Sequence, residues 1–354
     1  MEWNAALLGG FMCGALAGGG ARYGRVCSMS AIEDALMGQD YRGAKAWGLA
    51  VAVATLATMA LVAVGLVDLS SSPLRGARLH VLGTVLGGVL FGLGMTFVGT
   101  CSFGLVVRAG GGDLRALISA AVVGVFAFAM TAGLLAPVLE LALGVGWVDL
   151  GGASFDAVLS RYVGRSWAIA LIALAIIGFA GWMLTDRRLW ARRRLMAGAC
   201  LLGLAVAGGW FVTSHSVEAL EISRVESLSF VAPGGRALLQ FMMMPFRDVG
   251  FGIAAVIGAW SASFAVAALR GELRWEAFDD AREMRRHLAG AALMGVGGVL
   301  AQGCTVGQGL TAASALAVSA PVFVLAVLAG AHIGLKALIE GTALWRLGFS
   351  PRAD

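Results

Sequence analysis

Nine stretches of the chain are apolar over lengths that approach a membrane crossing, near 5–21, 47–67, 79–99, 115–136, 167–185, 195–213, 249–269, 288–302 and 320–341. A helix needs about 20 predominantly apolar residues to cross the hydrocarbon layer. No water is present there to satisfy backbone polar groups, so unalternating apolar runs of this length are expected to be helices. Charged residues make up 13% of the chain, against about 25% in a soluble domain. The expected fold is an all-α polytopic membrane protein with about nine transmembrane helices. Three further intervals, 23–38, 100–112 and 303–316, read as short re-entrant or interfacial pieces. The start, Met1 to Asn4, lacks a basic region, so the first apolar segment is expected to be retained.

A second feature is a duplication. Gly92, Gly94, Cys101, Ser102 and Gly104 recur at a constant offset of 203 as Gly295, Gly297, Cys304, Thr305 and Gly307. Long apolar helices flank both copies, the usual sign of a transporter or channel built from two related halves. The expected division is a first half at about 1–136, connecting helices at about 137–248 and a second half at about 249–354 of one transmembrane domain.

Charge sets the expected orientation. Placing Arg187, Arg188, Arg192, Arg193 and Arg194 in the cytoplasm puts the N-terminus outside and the C-terminus inside. The inner face then gathers 19 of the 26 basic residues, among them Arg22, Arg25, Arg42, Lys45, Arg108, Arg115, Arg270, Arg274, Arg282, Arg285, Arg286, Lys336, Arg346 and Arg352. The net charge of +5 is thus a matter of cytoplasmic loops, not of nucleic-acid binding. The loops at 140–165, with Glu140, Asp149 and Asp156, and at 214–248, with Glu218, Glu221 and Glu226, fall outside, the second with a surface helix. In this arrangement the two repeated loops enter from opposite faces and meet near the midplane, an inverted repeat.

Ser102 and Thr305 are suited to capping a short helix that starts just after each cysteine. Free N–H groups at such a helix start attract anions without a full charge in the membrane, and a neutral thiol adds a weak donor. Gly104 and Gly307 allow unwound backbone, and Gln308 is a candidate path-lining residue. Cys13 and Cys200 lie inside helices and read as packing residues, and five cysteines form no disulfide framework. His80 and His287 are placed at opposite membrane surfaces. His215 and His332 have no partner at ligand spacing, and Met242-Met243-Met244 lacks a neighbouring Cys or His, so neither a metal nor a cofactor is expected. Neither Lys45 nor Lys336 follows a glycine, which excludes a P-loop ATPase.

The segment Gly250 to Gly334, above all Ala301-Gln-Gly-Cys-Thr-Val-Gly-Gln-Gly-Leu310, resembles the YeeE/YedE family of bacterial inner-membrane proteins, whose characterised members take up thiosulfate. The first half resembles it through Arg22 to Cys27 and Gly92 to Gly104. The resemblance implies a relay of three cysteines that passes thiosulfate through S–H···S contacts. Matched residue by residue these are Cys304 outermost, Cys101 central and Cys27 innermost. It also implies a cytosolic sulfur-carrier protein as recipient. The segment Arg22-Tyr-Gly-Arg-Val-Cys27-Ser-Met departs from the family's more aromatic form.

Two alternatives stand beside thiosulfate uptake. One is transport of selenium compounds within the same family. The other is a membrane thiol oxidoreductase, a chemistry that normally wants an adjacent Cys-x-x-Cys pair, absent here. A purely structural subunit would leave the two glycine-cysteine loops without a purpose.

Overall fold

The structure, a computed structural model, describes residues 3–76, 78–149, 154–220, 225–243 and 250–340. In chain order the helices are α1 (Trp3–Gly24), α2 (Ser28–Leu36), α3 (Arg42–Ala63), α4 (Val81–Val98), α5 (Ser102–Gly110), α6 (Leu114–Ala132), α7 (Ala136–Gly144), α8 (Phe155–Val163), α9 (Arg165–Leu184), α10 (Arg187–Trp190), α11 (Arg193–Leu220), α12 (Ala232–Met243), α13 (Phe251–Leu269), α14 (Ala281–Leu300) and α15 (Ser319–Glu340). A π-helical turn, Gly307–Ala312, lies between the last two. Two short strands, β1 (Arg78–His80) and β2 (Trp147–Asp149), pair antiparallel, with Leu79 opposite Val148.

The chain is a multi-pass helical membrane protein, and all nine expected spans fold as helices, of which six meet the length and apolarity of a crossing. Among the described residues six helical stretches are long and apolar enough to cross a membrane: α3, α4 with α5, α6, α11 to Ser216, α13 and α15. The expected spans near 5–21, 167–185 and 288–302 fold as α1, α9 and α14. The first is diluted by glycine, and the last opens with Arg282, Glu283, Arg285 and Arg286. In α9 the apolar part is shorter, Ala170–Leu184. The interval 100–112 carries a separate short helix, α5. It is the second segment of an element that runs from Val81 to Gly110 with a break at the first cysteine. The expected loop at 140–165 carries α7, β2 and α8. The surface helix expected within 214–248 is α12, and Glu221, Met244, Arg346 and Arg352 lie outside the described residues.

The centre of the bundle is a glycine-packed crossing of α4 and α14. A Cβ on Gly87 would come within 2.5 Å of Gly297 O, and one on Gly297 within 2.6 Å of Gly87 O. Gly94 and Gly290 meet in the same way, with a Cβ on Gly290 2.8 Å from Gly94 O. Gly290 is the copy of Gly87, and Gly297 is the copy of Gly94, at the offset of 203. The contact therefore maps onto itself when the two copies are exchanged, the mark of a two-fold relation. The two helices cross antiparallel, because the early residue of each faces the late residue of the other. Elsewhere Gly14 and Gly18 of α1 lie against Ala255 and Ala259 of α13, and Gly330 of α15 lies against Val89 of α4. Lipid tails give helices no hydrophobic reason to associate, so close backbone approach at small residues supplies the attraction.

Ion pairs gather at the two ends. At one, Glu272 meets Arg22, Arg25 and Arg270, Arg115 meets Asp113, Glu276 and Glu283, and Lys45 meets Asp186. At the other, Arg75 pairs with Asp156, and His80 Nδ1 lies 2.9 Å from Leu143 O. Burial pushes the Glu272 carboxyl up, but the hydrogen bond from Arg25 and the charges of Arg270, Arg25 and Arg22 outweigh it and hold the carboxyl below its ordinary range. A depressed carboxylate stabilises above its unfolded pKa of about 4.3 and loses that contribution as pH falls through the lower folded value. His287 lies beside Glu283 of this ion-pair cluster and is buried against protein, its Nδ1 3.4 Å from Ser119 Oγ and its ring edge-on to Phe278.

The glycine crossing gives a direct test. Gly14→Ala and Gly94→Ala place a methyl group against backbone that cannot yield, and each is expected to destabilise the protein by about 1–3 kcal/mol. Gly178→Ala in α9, where an added Cβ meets nothing within 4 Å, is expected to be neutral or mildly stabilising. Thermal unfolding of the three variants in detergent measures the difference.

Candidate functional site

Three helix breaks build the candidate site, and each centres on a cysteine. The helix α4 ends at Gly99, which is left-handed at φ 77°. Cys101 is extended and caps α5, its Sγ accepting the Gly104 N–H at 3.4 Å. In the second copy Gln302, which occupies the slot of Gly99, is also left-handed at φ 58°. Cys304 Sγ accepts the Gly307 N–H at the same 3.4 Å, and the Gln308 N–H donates to Cys304 O. The π-helical turn follows. A break after α1 has a similar form: Arg25 is left-handed at φ 54°, and Cys27 is the extended N-cap residue of α2, without a side-chain cap bond. Each cysteine is thus preceded two residues earlier by a left-handed residue and followed at once by a hydroxyl residue.

This corrects the expected capping. Ser102 and Thr305 do not cap. The thiol one residue earlier takes the N–H in both copies, and at the first break Cys101 is the residue in extended conformation at the helix entrance. Ser102 Oγ and Thr305 Oγ1 are buried with no hydrogen-bond partner, and so is Ser28 Oγ after Cys27. A sulfur that accepts a helix N–H keeps its S–H free to donate elsewhere.

The structure draws these breaks together from distant parts of the chain. The Cys101 thiol lies close to Cys27, Ser28 and Thr305. Cys27 Sγ is 3.8 Å from Thr100 Oγ1. Cys101 and Cys304 are fully buried, and Cys27 is half-buried. Thr100 escaped the sequence reading. A Cβ on Gly104 would collide with its hydroxyl, so Thr100 fixes why position 104 is glycine. Gly307 faces Ser229 in the same way. Gln308 is tied at both ends of its amide, Nε2 donating to Ala301 O at 2.9 Å and Oε1 accepting from Ser319 at 3.0 Å. Trp210 braces the second break by donating to Ser314 Oγ at 2.9 Å, while Thr311 Oγ1 donates to Leu228 O at 2.8 Å. Cys13 packs against Gly208 inside the α1–α11 contact, and Cys200 is half-buried within α11. Neither adjoins a break. Met242 is exposed.

Two cavities touch the breaks from opposite sides. One of 630 Å³ is lined by His80, Thr131, Ser229, Gln302 and Gly303, and so ends beside Cys304. Another of 440 Å³ is lined by Gly24, Arg25, Arg192, Arg193 and Arg194, and so begins two residues from Cys27. A third, 540 Å³ between α3, α8 and α9, is walled almost wholly by apolar groups such as Val51, Phe155, Ile176 and Phe179 and offers no chemistry.

A sequence model described as sulphur transport matches residues 23–333, which include all three cysteine breaks. The chain belongs to the sulphur transport family. It is similar to the thiosulfate transporter TsuA of Spirochaeta thermophila, 28% identical over 334 residues that cover 90% of this chain and 93% of the relative. It is also similar to the thiosulfate transporter TsuA of Escherichia coli, 25% identical over 86% of each chain.

In this member of the family the thiol cap has a consequence for stability that is separate from transport. Cys101→Ala leaves the Gly104 N–H without its acceptor and is expected to cost about 1 kcal/mol. Cys101→Ser keeps an acceptor at the cap and is expected to cost less. Thermal unfolding in detergent separates the two, and equal losses would remove the capping role.

Proposed function

We propose that the protein takes up thiosulfate across the bacterial inner membrane, as a transporter and not an enzyme. The observation that carries this reading is the convergence of three cysteine breaks between two cavities on opposite sides. In this reading the anion passes from the 630 Å³ cavity by Cys304, Cys101 and Cys27 to the arginine-lined cavity, which the closeness of Cys101 to Cys27 and Thr305 supports. Each break presents a helix start, whose N–H groups favour an anion without a formal positive charge. A fixed arginine at mid-depth would hold a dianion too firmly to release it, whereas weak donors in sequence let it enter and leave. The soft terminal sulfur of thiosulfate suits the thiols, and its oxygens suit Ser102 and Thr305. Gly104 and Gly307 keep the narrow section open, and Gln308 braces the second turn.

The positive-inside count supports the N-terminus in the periplasm and the C-terminus in the cytoplasm. The arginine-lined cavity then faces the cytosol, where a sulfur-carrier protein would receive the anion. Reporter fusions at residue 190 and at the N-terminus are expected to lie on opposite sides of the membrane, and the same side for both would overturn the orientation.

The transport test is growth of a sulfate-transport-deficient bacterium on thiosulfate as sole sulfur source, followed by uptake normalised to membrane-protein level. Cys101→Ala and Cys304→Ala are expected to abolish most uptake at near-normal abundance, and Cys27→Ala to impair it. Cys13→Ala and Cys200→Ala are expected to leave it largely intact. Full uptake in Cys101→Ala and Cys304→Ala would end the relay. Competition by selenosulfate measures how far the same contacts accept selenium.

A further inference from the structure

Three residues whose shielded polar atoms lack a nitrogen or oxygen partner line one cavity that the thiol path does not account for. The cavity measures 310 Å³ and lies between α2, α3, the π-helical turn and α15. Its lining includes Ser28, Trp47 and Thr305. Ser28 is 6% exposed and Thr305 7%, and neither hydroxyl has a nitrogen or oxygen partner, both lying against the Cys101 thiol. The Trp47 indole nitrogen is shielded from solvent and also lacks one. The other walls, such as Ile32, Val51, Phe323 and Val327, are apolar.

A buried polar group left unpaired is costly, and a native structure rarely gathers three on one cavity without a use for them. Their chemistry is one-sided. An indole N–H only donates, and a hydroxyl donates whenever it meets an acceptor without protons. No carboxylate lines the cavity and no backbone break other than the cysteine turns reaches it. A cation would find no counter-charge there, whereas the oxygens of a small anion would find three donors. Ser28 and Thr305 also flank the Cys101 thiol. A ligand on these donors is therefore separated from a soft sulfur only by the two hydroxyl side chains.

We propose that Ser28, Thr305 and Trp47 form an oxygen-binding cradle beside the thiols. It holds the three oxygens of a sulfonate-type group while the terminal sulfur of the same anion faces Cys101. This rests on the thiosulfate reading above and divides the labour within it. The cradle recognises the oxygens, which sulfate shares with thiosulfate. The thiol recognises the sulfur, which sulfate lacks. Ser28 and Trp47 are then positioning residues for the substrate, and Thr305 has its role by its hydroxyl and not by capping.

The test uses the full chain in proteoliposomes, with thiosulfate as substrate and sulfate as competitor. Ser28→Ala, Thr305→Val and Trp47→Phe are each expected to raise KM for thiosulfate about tenfold, the size of one hydrogen bond to a charged group, with kcat less affected. Sulfate inhibition is expected to weaken by a similar factor in these variants. Ser28→Thr and Thr305→Ser keep the hydroxyl and are expected to retain near-native KM. A second measurement does not depend on transport: the rate at which N-ethylmaleimide labels Cys27 in a Cys13→Ala, Cys200→Ala background. Thiosulfate or sulfate is expected to slow labelling of the parent and not of Ser28→Ala. Unchanged KM and unchanged protection in Ser28→Ala and Thr305→Val would overturn the cradle, as would equal loss in the hydroxyl-retaining variants. Absence of thiosulfate uptake by the parent would instead count against the transport reading, with the labelling result still deciding the cradle.

Discussion

A helix can be interrupted inside a bilayer only if the freed backbone groups find partners within the protein. Here that constraint is met by sulfur. The Gly104 and Gly307 N–H groups each donate to a cysteine thiol at the same 3.4 Å, so both repeated breaks are closed by the same weak contact. A stronger cap would tie up the hydroxyls. Because the thiol does the capping, Ser102 and Thr305 remain unpartnered at the very start of each helical segment. The functional character of the site follows from this choice. It leaves a set of neutral donors, soft and hard, between the two ends at which the arginine ion pairs gather.

The breaks face each other because of glycine. The reciprocal pairing of Gly87 with Gly297 and of Gly94 with Gly290 lets two helix backbones touch, and its two-fold character sets the two cysteine turns at related positions on either side of the crossing. A larger residue at any of the four positions would separate α4 from α14 and with them Cys101 from Thr305. Packing and function are therefore joined at one contact. The tight crossing also makes large relative movement of these two helices unfavourable, since such interfaces resist gradual deformation. A path of weak successive contacts is compatible with a centre of this rigidity.

Around this core the remaining elements brace or give access. Trp210, Ser314 and Thr311 fix the second break from the side of α11, and Phe103 stacks near Phe230 at 4.6 Å beside the first. The arginine-lined cavity next to Arg25 and the polar cavity next to Gly303 touch opposite ends of the series of thiols. Under the proposed transport reading, these two cavities would give the anion access on two sides of the thiols.

The sequence by itself determined the helical membrane class, through apolar runs that only helices can satisfy in lipid. It also determined the duplication, and with it the two glycine-cysteine loops at Cys101 and Cys304, because spacing along the chain is preserved whatever the packing. It did not determine how many helices span, since glycine dilutes α1 and charge opens α14. Nor did it show that the thiols cap and the hydroxyls stay free. At the second break that outcome goes with left-handed backbone at Gln302, a residue type that does not announce such a conformation, whereas Gly99 in the equivalent slot does. The meeting of Ser28 and Trp47, on consecutive helices, with the distant Thr305 was decided by the tertiary structure alone. Periodicity and spacing are local properties of a chain, while the partner a buried donor finds, or fails to find, depends on which other elements pack against it.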